Sequence, residues 1–423
     1  MQKGIKTRLI IYEILKELKI TSFSYDDILA KKIKNHDLSQ KDKNMIHSIV
    51  LNSMRFHMHI YKIIKLFAKK NITEKQFLLL LGAITQIIYL DFKEYAVVNS
   101  TVEVAKDKSI SIYPGFINAI LKKIIVNKDS LKKTLITFSD LPKWLYPQID
   151  NWNLNKKKLF IETITKVPDL HIVFKNNQLL KEFNIESINT STKSLAVKNS
   201  KLIRDLPNYE KGDWWVQDFV SMLPVYLTKN IKNKKVLDMC AAPGGKSFQT
   251  LSLNAQTTIV DISLKRSKIL EINLNRLKYE KDVKVINALK IDTTIQYDYV
   301  LIDAPCSSVG TVRRNPEILY RKKEPNFIDL IDIQSKLLEK AKSLINKNGI
   351  IIYMVCSFLN AETNSQINLF LKNNKNFKID CFNSNDSNIK NLLDKDGCIN
   401  CIPSKTKGVL HDGFFAARLK KNV

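Results

Sequence analysis

From residue 232 onward, short apolar runs alternate with amphipathic stretches, and this alternation constrains the fold more than any other feature of the chain. "KKVLDMC", "TTIVDIS", "VKVINA", "YDYVLIDAP" and "GIIIYMVC" read as strands, while "SLKRSKILEINLNRLK" and "DLIDIQSKLLEKAKSLINKN" repeat their apolar residues at helical spacing. Strand–helix–strand repetition predicts an α/β domain with a mostly parallel sheet covered on both faces. Ligands of such sheets sit beyond the carboxyl ends of the strands. Two of those ends carry thiols: Cys306 in "LIDAPCSSVG" and Cys356 in "GIIIYMVCSF".

The preceding sequence is organised differently, and 423 residues are long for one core. Residues 1–135 read as nearly all helix, with Pro114 and Gly115 at a helix start. His57 and His59 are expected on a helix surface or packed, not as ligands. Residues 136–210 are punctuated by Pro142, Pro147 and Pro168, with "LHIVFKN" and "KSLAVKN" as short strands, and read as a small α+β linker module. Residues 211–423 form the third expected domain. No run approaches the roughly 20 apolar residues of a membrane span. The N-terminal stretch is amphipathic, with Glu13 and Glu17, which argues against a secretory signal. A cytoplasmic monomer with no membrane partner is expected.

The formal net charge of +27 favours a polyanionic partner, nucleic acid first. Richness in Lys, Asn and Ile together is also what an AT-rich coding sequence yields, so charge supports RNA binding without establishing it. All six cysteines lie from Cys240 onward, in no disulfide-like framework. Cys398 and Cys401 make a lone C-x-x-C, and no metal site is expected from it. No histidine occurs between 172 and 410, which counts against a histidine base in this region.

"VLDMCAAPGGKSFQT" is a strand, a glycine turn and a helix start. A phosphate loop would need a glycine where Cys240 stands, although Gly245, Lys246 and Ser247 match. The dinucleotide pattern G-x-G-x-x-G is absent. S-adenosylmethionine (SAM) asks instead for an acid ending the next strand, to accept from ribose hydroxyls. Asp261 stands there, and as an isolated residue it serves equally well as a helix N-cap. With the glycine turn one strand earlier, the ribose role is favoured. The thiols suit methylation of a pyrimidine at carbon 5, a poor nucleophile until a thiolate adds to carbon 6. A nearby acid such as Asp303 can hydrogen-bond the ring as charge shifts onto it. Either cysteine alone is more often a small buried residue. Their joint placement at strand ends beside an acid favours the catalytic reading.

"CAAPGGKS", "DAPCSSVGTVRRNPEI" and "YMVCSF" resemble the cofactor loop and the two cysteine motifs of the NOL1/NOP2/Sun family of RNA cytosine-C5 methyltransferases. "NSMRFHMHIYKIIK", "AVVNSTVEVAK" and "GFINAILKKI" resemble the NusB-like domain of its RsmB/Sun branch, which methylates 16S rRNA. The resemblance implies a Rossmann-like class I SAM-dependent methyltransferase domain behind an all-α NusB-like RNA-binding domain. It implies Cys356 as nucleophile, with Cys306 assisting release of the methylated base. It implies that Cys240, Ala241, Ala242, Pro243, Gly244, Gly245 and Lys246 hold the cofactor, with Asp261 on its ribose. Asp303 would lie by cofactor and target base, and the Arg313–Arg314 pair near RNA. Two positions depart from the pattern. Asn287 stands where an aspartate near the adenine is usual, and Val355 replaces the threonine before the nucleophile. These departures motivate a rival, a non-catalytic RNA-binding ribosome-assembly factor, and the same chemistry on tRNA is a further alternative.

Overall fold

Side-chain caps start two of the helices in the first part of the chain. The computed structural model describes residues 3–34, 36–68, 70–198 and 202–422. It contains α1 (Lys3–Ile20), α2 (Tyr25–Lys34), α3 (Gln40–Phe67), α4 (Glu74–Ile84), α5 (Glu94–Ala105) and α6 (Pro114–Val126). Ser39 accepts from the Asp42 amide and Asp42 from the Ser39 amide at the start of α3; Thr73 and Gln76 repeat the arrangement at α4. Pro114 opens α6, where a missing N–H costs nothing. Ile46, Ile49, Val50, Ile60, Ile63 and Ile64 of α3 are buried against Leu80, Leu81 and Ile84 of α4 in one apolar core. His57 and His59 are packed residues. Burial pushes both imidazoles down to about 4, and His57 Nδ1 lies 2.7 Å from the Met54 carbonyl oxygen.

Two compact units divide the chain: Met1–Lys166 with Val312–Glu324, and Val167–Thr311 with Pro325–Val423. The expected boundaries at 135 and 210 therefore fall inside units, for visible reasons. Lys62 of α3 binds the Asp140 carboxylate and the Leu135 carbonyl, each at 3.0 Å, which ties residues 136–166 to the helices. Strand β1 (Leu170–Phe174) is the centre of an antiparallel sheet with β2 (Ser187–Ser191), β3 (Ser194–Val197) and β4 (Trp214–Val216), in the order β2-β3-β1-β4. That pairing carries the sheet across position 210. Residues 312–324 join the helices: the Tyr320 hydroxyl donates to the Leu15 carbonyl at 3.0 Å and Arg55 to the Arg313 carbonyl at 3.2 Å. Arg313 is fully buried and Arg314 half-buried.

The second unit is built on β5 (Lys235–Asp238), β6 (Gln256–Asp261), β7 (Val283–Val285), β8 (Tyr297–Asp303), β9 (Ile345–Val355), β10 (Phe377–Ile379) and β11 (Ile399–Cys401). A two-stranded sheet of β12 (Ser404–Thr406) and β13 (Val409–His411) precedes the last strand, β14 (Phe414–Lys421). The large sheet runs β10-β14-β9-β8-β5-β6-β7, with β11 also on β14. β9, β8, β5, β6 and β7 are mutually parallel; β14 enters antiparallel beside β9. Tyr299 and Leu301 pack into one core and Val300 and Ile302 into another, which is why the strands read as continuous apolar runs. β5 is followed by β6 on one side and flanked by β8 on the other. The strand order reverses there, opening a crevice at the carboxyl ends. Cys398 and Cys401 belong to those two different cores. Among the described residues no helix is long and apolar enough to cross a membrane.

Candidate active site

The glycine turn leaves β5 at the switch point and enters the helix Gly245–Ser252. Gly244 has φ +114°, and a Cβ there would lie 2.3 Å from the Phe248 ring, so only glycine fits. The Gly244 amide closes the turn on the Ala241 carbonyl at 2.8 Å, and the Ala241 amide bonds the Val260 carbonyl of β6 at 2.9 Å. The Ala242 amide donates to Asp261 Oδ2 at 3.0 Å. Pro243 follows, and Gly245 packs on the Gln217 side chain.

Asp261 is 1% exposed and also accepts from the Ser263 amide (2.8 Å) and Arg266 (3.1 Å). It is not the helix cap: Ser263 caps Leu264–Arg276 by accepting from the Arg266 amide. Asp238, ending β5, is fully buried and accepts from the Ser247 hydroxyl at 2.7 Å. Burial pushes its carboxyl up to about 7, with the charge of Asp303 adding. Its Oδ1 has no hydrogen-bond partner among the described residues. Burial likewise raises the Cys240 thiol, with Asp238, Asp303 and Asp261 nearby. Asn287 caps its own turn, its Oδ1 accepting from the Leu289 amide at 3.0 Å.

At the other edge of the crevice, Lys246 Nζ lies 2.5 Å from Asp303 Oδ2. Burial lowers the affinity of this ammonium for its proton, but Asp303, the Cys356 thiol and Asp238 outweigh it and leave its pKa raised. Cys356 follows β9, and its register places Met354 opposite Asp303. The neighbouring Cys306 side chain, then burial and the charge of Asp303, raise the Cys356 thiol well above the usual thiol range, with Lys246 opposing. Cys306, Cys356, Asp303 and Lys246 thus form one cluster. Val355 is buried in the core with Ile302 and Phe415, where a methyl packs as well as a hydroxyl.

Sequence reasoning placed Lys246 with the cofactor and missed its pairing with Asp303. It also missed Glu362, a buried carboxylate behind both cysteine loops, although "CSS" and "CSF" share a Cys-Ser step. Gly310 and Gly413 were missed too. The Gly310 amide bonds the Cys356 carbonyl at 3.0 Å and the Gly413 amide bonds the Gly310 carbonyl at 2.8 Å. A Cβ on Gly310 would lie 2.0 Å from the Gly413 carbonyl oxygen. In the helical unit, a cavity of about 1000 Å³ is lined by Lys19, Tyr61, Lys65, Phe77, Lys143 and Trp144, among others. Lys19 Nζ lies 4.5 Å from the Phe77 ring centroid and Lys65 Nζ 4.7 Å from that of Tyr61. Two of its acids, Glu74 and Asp140, are paired with Lys322 and Lys62.

The donor set of the crevice suits a cationic nucleoside better than a phosphate. Three carboxylates, Asp238, Asp261 and Asp303, end the strands around it, one with an unpartnered oxygen among the described residues, and the lysine that would meet a phosphate is held by Asp303. Strand order, glycine turn and acids define a SAM-dependent methyltransferase. Residues 225–420 match the family model described as 16S rRNA methyltransferase RsmB/F, and residues 5–126 match the NusB family. The chain is 30% identical to ribosomal RNA small subunit methyltransferase B of Photorhabdus laumondii subsp. laumondii, over 94% of each chain. It belongs to the RsmB/F family of RNA methyltransferases. Among solved structures, that of PH0851 shares the fold over 100% of this chain and 99% of its own (TM-score 0.72, 21% identity). NSun6 from Pyrococcus horikoshii, solved with SFG, covers 66% of this chain and 98% of its own (TM-score 0.54, 16% identity).

Proposed function

We propose that this chain methylates carbon 5 of a cytosine in 16S rRNA through a transient bond from Cys356 to the base. The observation that carries the reading is the placement of two thiols just past the ends of adjacent parallel strands, beside a buried Lys246–Asp303 pair. SAM supplies an electrophilic methyl group. The turn from Cys240 to Lys246, Asp238 and Asp261 would hold it, and Asn287 would meet the adenine edge.

Cys356 Sγ bonds to C6 of the ring as the thiol proton passes to N3 and the C5–C6 π electrons shift into the ring, with Asp303 hydrogen-bonded to the ring as charge develops. Lys246 holds the Asp303 carboxylate in place and favours the Cys356 thiolate. The C5 electron pair then forms the new carbon–carbon bond as the methyl–sulfur bond breaks. Cys306 takes the C5 proton; the electron pair left behind restores the C5–C6 double bond and expels the Cys356 thiolate. N3 returns its proton. The helical unit contributes RNA affinity through its basic, aromatic-lined cavity, a combination that suits unpaired nucleotides.

The test is transfer of labelled methyl from SAM to unmodified 16S rRNA, with the product nucleoside identified. The expected product is 5-methylcytidine. Tight RNA binding with no incorporation would favour the assembly-factor reading, and label in tRNA alone would move the substrate.

A further inference from the structure

Each thiol is followed by a serine, and one buried carboxylate holds both serines. Glu362 is 0% exposed, in the turn Asn360–Glu362 after β9. Its Oε1 accepts from the Ser307 amide (2.8 Å) and from Gln334 Nε2 (3.2 Å). Its Oε2 accepts from the Ser307 hydroxyl (2.5 Å) and the Ser357 hydroxyl (2.6 Å). Gln334 also donates to the Pro305 carbonyl at 2.9 Å, so Cys306 is gripped from both sides. The Tyr353 hydroxyl bonds the Glu362 carbonyl at 2.8 Å, anchoring the turn to β9.

A carboxylate has about four acceptor sites, and all are used here by neutral donors. Burying it is costly, so this arrangement has a purpose beyond packing. The next residue, Ser308, adopts φ +58°, a left-handed conformation that is strained for a non-glycine residue and persists only where its surroundings fix it. The bonds from Ser307 to Glu362 are adjacent to that strained position. None of these hydrogen bonds is to a thiol.

The geometry points to Glu362 as a positioning residue that fixes the distance between Cys306 and Cys356, with Ser307 setting the first and Ser357 the second. This rests on the covalent reading above. Loosening the Ser357 side slows bond formation to the base. Loosening the Ser307 side slows its release, because Cys306 is the group that drifts. A residue that merely stabilised the fold would show neither asymmetry.

The experiment is rapid quenching of full-length enzyme with SAM and unmodified 16S rRNA, measuring denaturation-resistant protein–RNA adduct and methylated product. Glu362→Gln keeps the shape but replaces one acceptor with a donor. It should lower kcat about 10²-fold, the cost of roughly an ångström of misplacement, with the KM for SAM within about twofold of wild type. Ser357→Ala should slow adduct formation, and Ser307→Ala should accumulate adduct at steady state. Wild-type kcat in folded Glu362→Gln, or serine variants that lose activity only in proportion to their folded fraction, would overturn the inference. If Glu362→Gln does not fold, the two serine variants decide. A wild-type enzyme that forms neither adduct nor 5-methylcytidine defeats the covalent reading itself. Wild-type adduct that Cys356→Ala abolishes, alongside serine and Glu362 variants indistinguishable from wild type, defeats only the positioning role.

Discussion

The two units place their buried charges differently. In the helical unit, buried polar side chains are chiefly hydroxyls and amides bonded to a nearby helix carbonyl: Thr85 to Leu81 and Thr101 to Val97 at 2.7 Å, Gln86 to Gly82 at 2.9 Å. Burial holds the His57 and His59 imidazoles low, and the unit's buried charges, Arg55, Arg313 and Glu317, lie in residues 312–324 or against them. In the α/β unit, Asp238, Lys246, Asp261 and Glu362 are all buried close to the strand ends. A buried charge costs several kcal/mol unless paired and hydrogen-bonded. The helical unit therefore reads as a fold held by apolar burial. The α/β unit retains charges that apolar residues would replace without loss of stability, and such clusters mark chemistry.

The sharpest way to break this contrast is to remove one group from each unit. Cys356→Ala should lower methylation at least ~10³-fold with a melting temperature close to wild type. Leu81→Ala, in the helical core, should instead cost about 2–5 kcal/mol of stability while leaving the rate per folded molecule intact. Equal loss of rate in both would erase the distinction. Next in size, Lys246→Met should lower kcat about 10²-fold, read by single-turnover methyl transfer.

The pH profile sharpens the same point. Cys356 is raised, so its thiolate fraction is small at neutral pH and grows about tenfold per pH unit below its pKa. Single-turnover rate should rise with pH beyond the ordinary thiol range near 8.5, with no plateau below it. His57 and His59, neutral above about 4, cannot produce that limb. Smallest of all, Lys19→Glu with Lys65→Glu and Lys143→Glu should weaken rRNA binding several-fold and flatten its salt dependence, measured by filter binding, with little change in saturated rate.

Most of the fold is legible in the sequence because it rests on periodicity. Strands β5 to β9 follow from their apolar runs and α3 and α4 from their apolar stripes. The domain boundaries are not, because they depend on long-range pairs: Lys62 with Asp140, Tyr320 with Leu15, β1 with β4. A loop of the α/β sequence packs with the helices, which no local pattern announces. In the site, the strand-end acids and thiols are legible by position. The Lys246–Asp303 pair and the Glu362 hub are not, since each joins residues whose partners only the folded sheet brings together.

One measurement tests the central claim most directly. Cys306→Ala enzyme is incubated with SAM and unmodified 16S rRNA, denatured, digested and analysed by mass spectrometry. The expected result is a peptide containing Cys356 that carries a methylated cytidine through its sulfur. RNA attached at another residue, or methylated RNA released with no attachment from a Cys356→Ala enzyme, would contradict it.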